Sequence, residues 1–133
     1  MTLGDNPTDG EILALVELWI DDLAREDYAT AYARTAHDPY YQWTPELMRA
    51  VVAGYGSPEP HRSGTVFRVT PRDTAVGQPH YRTVDRDAVS PPAFAEAWHD
   101  LPLNGEWSDL TATFRVEPGV VGSTIVLEEI HVF

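Results

Sequence analysis

The sequence predicts an α+β protein in which about three N-terminal helices pack on one face of a curved antiparallel sheet of four to five strands. Apolar residues recur at helical spacing in the N-terminal part, and alternation of period two predominates in the C-terminal part. An Asn104-Gly105 pair, the strongest short-range hairpin signal, stands between two alternating runs. At 133 residues, the chain is expected to be one domain, residues 1–133.

Three helices are predicted from caps and apolar stripes. The first should cover about residues 9–25, and a short join makes the second its antiparallel neighbour. The second should end before Pro39, because proline pushes the preceding residue away from helical dihedrals. The third should begin at Thr44-Pro45 and end near Gly54. The remaining N-terminal signals are a capping box, Thr8 with Glu11, and the N-cap residue Asp27.

The strand signals are strongest near the C-terminus. Residues 65–70 and 80–87 alternate and are predicted as strands, and residues 94–133 predict a three-stranded meander. Residues 93–101 allow two interpretations, a short helix after Ser90 or a strand. We favour the strand, because the hairpin turn at Asn104-Gly105 needs a partner upstream.

Counting outward from this turn predicts which side chains share a face of the sheet. Asp100 should lie directly opposite Asp109, and Trp98 and Trp107 should stand on the same face as these two acids. The opposite face collects small and aliphatic residues, as a core face should.

A second turn, centred on Pro118-Gly119, would place Glu128 beside Asp109. Pro-Gly suits two-residue hairpin turns poorly, and Gly122 indicates a longer loop or a bulge as the alternative. A one-residue slip would put Glu129 and His131 on this face in place of Glu128.

The acidic row is the candidate catalytic site. Two like charges ~5 Å apart repel by roughly 1–3 kcal/mol near a surface. Water can screen them, an arginine such as Arg115 can intervene, or one carboxyl can take up a proton. In the last case Asp109 would act as a general base, with Asp100 or Glu128 as its protonated partner. A solvated sheet face is the alternative without function.

Aromatic residues are the candidate substrate-binding groups. Trp98 and Trp107 would form a pocket wall beside the acids, with Arg115 close to them. Tyr41 and Trp43 belong to a dense aromatic patch before the third helix, for which a role in the core or as a lid is the alternative.

Composition excludes several classes of function. The 21 acids against nine bases give a net charge of −12, so neither nucleic acid nor a membrane is an expected partner, whereas a basic protein is. Cysteine and lysine are absent, which excludes thiol nucleophiles and Schiff-base chemistry. No cofactor and no metal site are predicted, since the sequence has no HExxH and no phosphate loop. Divalent-cation binding by the acidic row is a lesser alternative.

The cellular setting is predicted from what the sequence lacks. No signal peptide is readable, and every apolar stretch is far shorter than the ~20 residues of a membrane span, so a cytoplasmic location is expected. The arginine-only, alanine-rich and proline-rich composition is typical of a GC-rich bacterial genome.

Two segments resemble known families. Trp19 in the first helix and residues 26–32 at the helical join resemble the nuclear-transport-factor-like cone fold. That resemblance implies a pocket between sheet and helices, and its relatives include polyketide cyclases, isomerases and epoxide hydrolases. The hairpin that this fold has between its second and third helices is not readable here. Residues 100–114, with the ending 130–132, resemble a bacterial family of small proteins of unknown function.

The leading hypothesis is a protein that binds a small molecule in a cone-like pocket between sheet and helices, with catalysis of the cyclase or isomerase type as one form of it. The alternative is an acidic interaction protein, such as an immunity protein that neutralises a basic toxin. A homodimer is compatible with both.

Overall fold

Three helices pack against a five-stranded sheet in the computed structural model, which describes residues 3–133. The helices are α1 (Asp9–Ala24), α2 (Tyr28–Arg34) and α3 (Pro45–Ala53). The strands are β1 (Ala36–His37), β2 (Arg82–Asp85), β3 (Ala95–Leu103), β4 (Glu106–Pro118) and β5 (Ser123–Val132). Their spatial order is β1-β5-β4-β3-β2. The predicted α+β class is therefore confirmed.

The helices begin at the predicted capping residues. The Thr8 hydroxyl accepts a hydrogen bond from the Glu11 N–H at 3.1 Å, and the Glu11 carboxylate accepts one from the Thr8 N–H at 2.9 Å. Asp27 and Thr44 accept in the same way from the first turns of α2 and α3. Each bond satisfies a backbone donor that has no partner within its helix.

One local prediction is wrong. Residues 65–70 form no strand. Val69 pairs with Leu103 of β3 through an isolated bridge, and the Arg68 N–H bonds to Asn104 Oδ1 at 3.0 Å in the turn. As predicted, α2 ends before Pro39, at Arg34, and Ala36–His37 then forms the short strand β1. Because β1 runs parallel to β5, the sheet is mixed and not wholly antiparallel.

The hairpin between β3 and β4 turns where it was predicted to turn. Asn104 and Gly105 have φ angles of 49° and 91°, as a two-residue hairpin loop requires. Pro102 lies opposite Trp107, the predicted pairing. Residues 93–101, the ambiguous segment, belong largely to β3 and confirm the strand interpretation.

Beyond Pro102 a β-bulge changes the register. Asp100 lies opposite Thr111, so the prediction that it faces Asp109 is wrong. Proline offers no N–H to the ladder, and the Ser108 hydroxyl donates to the Leu101 carbonyl at 2.7 Å in place of a backbone group. The extra residues on β4 therefore carry Asp109 out of the paired region.

The turn between β4 and β5 is wider than a reversal centred on Pro118-Gly119. Pro118 pairs with Ser123, and the Gly119 N–H bonds to the Gly122 carbonyl at 2.9 Å. Gly122 has a φ of 68°, which favours glycine. The longer loop that Gly122 indicated is the correct alternative.

A second bulge, between Thr113 and Phe114, sets the faces of β5. Beyond it Glu129 lies opposite Thr113 and His131 opposite Thr111, as in the one-residue slip considered from the sequence. Glu128 occupies the bulge itself, so it has no Cα partner on β4.

The core lies between α1 and the central strands. Trp19 meets Phe114 edge to face, with ring centroids 5.1 Å apart, and both side chains are fully buried. Leu110 and Ala112 of β4 lie in the same cluster. Within residues 3–133, none of the helices has the combined length and apolar character that crossing a bilayer requires.

Candidate functional site

A cavity of about 670 Å³ opens between α1 and the β2 side of the sheet. Glu17 and Asp21 of α1 line it, together with residues of the segment 71–79 and Arg82 of β2. Trp107, near the start of β4, supplies its aromatic surface. Four separate parts of the chain therefore form this cavity, hereafter the Glu17 cavity.

Glu17 is the centre of the charged side of the cavity. Its Oε2 accepts hydrogen bonds from Arg82 Nε at 2.8 Å and from His99 Nε2 at 2.9 Å. Arg72 Nη1 lies 3.6 Å from the same oxygen. Because the Glu17 side chain is only 14% exposed, these charge-assisted contacts are largely shielded from water. One carboxylate thus joins α1 to β2, β3 and the segment 71–79.

His99 is the buried partner of Glu17. Its Nδ1 lies 2.7 Å from the Asp100 carbonyl oxygen, while Nε2 faces the Glu17 carboxylate. Both ring nitrogens of His99 therefore face oxygen atoms that accept hydrogen bonds. The side chain is fully buried, and Trp107 lies 5.9 Å from it between ring centroids.

The neighbours of Glu17 keep it ionised. Burial disfavours the charged form, but the hydrogen bonds from Arg82 and His99 outweigh burial and lower the pKa of Glu17 to about 2. At neutral pH this carboxylate is a fixed anion, and it is a poor general base.

The charges around the cavity balance each other, although the protein as a whole carries −12. Arg72 donates to Asp21 from Nε at 2.8 Å and from Nη2 at 3.0 Å. The charged lining consists of three acids, Glu17, Asp21 and Asp73, and three bases, Arg25, Arg72 and Arg82. A third of the nine arginines therefore gather at this one place.

Asp100, a predicted catalytic residue, is a buried carboxylate that binds backbone N–H groups and so acts as a clamp on the chain. It is 1% exposed, and its Oδ2 accepts from the N–H groups of His80 at 2.7 Å and Tyr81 at 3.0 Å. Its Oδ1 accepts from the Thr111 hydroxyl at 2.7 Å. All of these contacts are structural, because they hold the chain before β2 against β3.

Asp109, the predicted base, lies apart from Asp100. It accepts a hydrogen bond from the Tyr55 hydroxyl at the end of α3. Burial and the charge of Asp109 raise the pKa of Tyr55. Both residues line a second cavity of about 480 Å³, which shares Trp107 with the Glu17 cavity. The structure therefore does not form the predicted Asp100–Asp109 dyad.

Glu128, the third predicted acid, lies beside Arg115. Arg115 Nη1 is 3.5 Å from Glu128 and 2.7 Å from Asp38. Burial and the charge of Glu96 raise the pKa of Glu128. An arginine thus intervenes among acids here, one of the outcomes considered from the sequence. Within residues 3–133, no three His, Asp or Glu side chains are grouped so that they could hold a metal ion.

The two tryptophans predicted to share a wall are separated. Trp98 packs against Tyr81 at 5.0 Å and Phe133 at 4.5 Å between ring centroids, whereas Trp107 lies beside His99. Because His99 and Trp98 are consecutive on β3, their side chains point to opposite faces of the sheet. The prediction of one aromatic wall is wrong, and only Trp107 lines the Glu17 cavity.

Tyr41 and Trp43 lie at the far edge of the sheet, beside β5. The Trp43 indole donates to the Glu128 carbonyl at 3.0 Å. Burial and a hydrogen bond to Glu129 raise the pKa of Tyr41 to about 12. Both line a third cavity of about 460 Å³, distinct from the Glu17 cavity.

The sequence contains a signal for Glu17, although the predicted site residues lie elsewhere in the chain. Glu17 follows Leu13 by four residues and precedes Ile20 by three, so it interrupts the apolar stripe of α1. A carboxylate at such a position needs a buried cationic partner. Arg72 and Arg82 gave no comparable signal, because loop and edge residues have no periodicity to break.

No protein-family model matches the chain, and no curated protein or solved structure matches it.

Proposed function

We propose that the protein binds a small polar molecule with a flat ring in the Glu17 cavity. The observation that carries this proposal is the fixed cluster of Glu17, Arg82 and His99, which lies on the same cavity as the Trp107 indole. The position between a helix and the sheet is the one that the cone-fold resemblance implies.

The size and rigidity of the cavity favour binding. A volume of about 670 Å³ falls within the range of small-molecule sites. The guanidinium groups of Arg72 and Arg82 are each held by a carboxylate through two hydrogen bonds. Little side-chain freedom is then lost when a ligand arrives, and this preorganisation increases affinity.

The lining suggests the chemistry of the ligand. The Trp107 indole is half-buried and offers a surface for stacking. Arg72 and Arg82 are 32% and 51% exposed, so part of each guanidinium still faces the cavity opening. A flat ring with one carboxylate or sulfonate would stack on Trp107 and bond to these exposed N–H groups.

Binding fits the site better than proton transfer. A catalyst of the cyclase or isomerase type needs a group whose pKa lies near the working pH. The pKa of Glu17 is about 2, and His99 is fully enclosed by its two acceptors. The proposal is therefore restricted to binding.

Replacing Trp107 by alanine is expected to weaken binding of 2-naphthoate, a flat ring with one carboxylate, by about tenfold or more, since loss of ring stacking costs 1–3 kcal/mol. The measurement is a titration of ¹⁵N-labelled protein with 2-naphthoate, followed through indole and backbone N–H signals. In the wild type the signals that move should belong to Trp107, Arg72 and Arg82.

Trp98→Ala is the matched control, because it removes an equal ring from the other face of the sheet. It should leave the dissociation constant of 2-naphthoate unchanged within about twofold. Equal weakening by the two substitutions, or the lack of saturable binding in the wild type, would refute the proposed site.

A further inference from the structure

The strand β5 has an unpaired edge next to Trp43. β1 is only two residues long and pairs with Val126 and Leu127. β5 continues to Val132, and within residues 3–133 no strand pairs with this edge beyond Leu127. Unpaired backbone donors and acceptors at such an edge form a template for another extended chain.

The backbone direction on β5 shows which groups face outward. The Glu128 carbonyl points away from the sheet and accepts from the Trp43 indole, whereas the Glu129 N–H points inward to Thr113 Oγ1 at 3.2 Å. Because strand backbone groups alternate, Ile130 directs its N–H and C=O groups to the open edge. Val132 faces the same way, but Gly56 lies against it.

The cavity of about 460 Å³ provides room beside this edge. Its apolar wall is formed by Trp43, by Leu47 and Val51 of α3, and by Ile130. Tyr41, Glu129 and His131 form its polar rim. An added strand could therefore bond to the β5 backbone and also bury an apolar side chain against α3.

The charge around this edge indicates which kind of chain could dock on it. Glu129 is the carboxylate on the rim, no arginine lines the cavity, and the whole chain carries −12. A second copy would bring another chain of charge −12 to this edge, and the repulsion between the two whole chains opposes edge-to-edge pairing. A basic chain instead finds opposite charge both at the rim and in the field of the whole protein.

We propose that the free edge of β5 at residues 129–131 docks an extended basic segment of a partner protein as an additional strand. The segment places an apolar side chain in the cavity beside Trp43 and an arginine or lysine against Glu129. This site is separate from the Glu17 cavity, which lies on the β2 side of the sheet, so the inference goes beyond the proposed function.

The alternation of side chains along β5 indicates the sequence pattern of the docked segment. Ile130 points toward the helices, whereas Glu129 and His131 point to the other face. Residues of the docked strand next to Ile130 should then be apolar, and those next to Glu129 basic. A sequence in which arginine alternates with an aliphatic residue satisfies both faces.

The test uses the full chain, ¹⁵N-labelled, and a seven-residue peptide of alternating arginine and valine with blocked ends. We expect saturable binding, with signal changes at residues 129–131 and at the Trp43 indole. Two further peptides carry N-methyl groups on every arginine or on every valine. Only one of these sets of N–H groups can face β5, so one methylated peptide should bind about tenfold more weakly and the other nearly as well as the parent.

Glu129→Gln should weaken binding of the parent peptide about threefold to tenfold. The matched control Glu106→Gln, which removes the same charge at the β3–β4 turn, should change it less than about twofold. The proposal is overturned if both methylated peptides bind like the parent, if the two glutamate variants behave alike, or if signal changes map to other residues. It is also overturned if the parent peptide shows no saturable binding, and a dimer in sedimentation that uses this edge would then assign it to a second copy.

Discussion

Glu17→Gln is expected to lower the free energy of unfolding by about 3–4 kcal/mol at pH 7, the range for removing one partner of a buried ion pair. The glutamine amide can still accept a hydrogen bond, but it has no charge to balance Arg82, and His99 Nε2 no longer faces a carboxylate. His99 has no route to water, because it is fully buried. Urea unfolding followed by tryptophan fluorescence would measure the loss.

The stabilisation by Glu17 should depend on pH in a defined direction. Its folded pKa of about 2 lies below the ordinary value of 4.5, so the stabilisation is complete above pH 4.5 and disappears as the pH falls toward 2. A pKa shift of this size corresponds to about 3 kcal/mol of folding stability. The difference in unfolding free energy between the wild type and Glu17→Gln should therefore be constant from pH 5 to 7 and fall to roughly half by pH 3.

Asp21→Asn is the matched control for this result. Asp21 bonds to Arg72 with good geometry, but its side chain is 31% exposed, so water screens the pair. Its loss should cost less than about 1 kcal/mol. If the two variants lost equal stability, or if the Glu17→Gln difference persisted at pH 3, Glu17 would not be the shielded centre of this cluster.

The sequence predicted those parts of the fold that are decided locally. Thr8, Asp27 and Thr44 bind backbone donors within three residues, and Asn104-Gly105 reverses the chain within two. Such features depend on short-range sterics and hydrogen bonds, so a single sequence contains them in full. The helix starts and the hairpin were for this reason predictable.

The candidate site depended on register, which is not decided locally. A proline at position 102 and a serine hydroxyl at position 108 together displaced β4, and this separated Asp100 from Asp109. The side chains that do meet, Glu17, Arg72, Arg82 and His99, come from parts of the chain up to 82 residues apart. No spacing rule along the sequence connects them, and only the polar interruption of the α1 stripe indicated that Glu17 needed a partner.

Asp100→Ala is expected to cost about 3 kcal/mol, because it leaves the His80 and Tyr81 N–H groups and the Thr111 hydroxyl without their acceptor. The chain before β2 should then loosen. Hydrogen exchange should accelerate more at the His80 and Tyr81 amides than at the β4 amides. This difference separates local loosening from global unfolding.

Asp100→Asn separates the role of geometry from that of charge. The amide oxygen can accept from both backbone N–H groups, while the amide N–H₂ donates to the Thr111 hydroxyl, so the clamp keeps its shape. Only the charge assistance is lost, and the cost should be about 1 kcal/mol. If asparagine proved as damaging as alanine, the negative charge of Asp100 would be what matters. If alanine cost less than 1 kcal/mol, Asp100 would not hold β2 in place, and the wall of the Glu17 cavity would need another support.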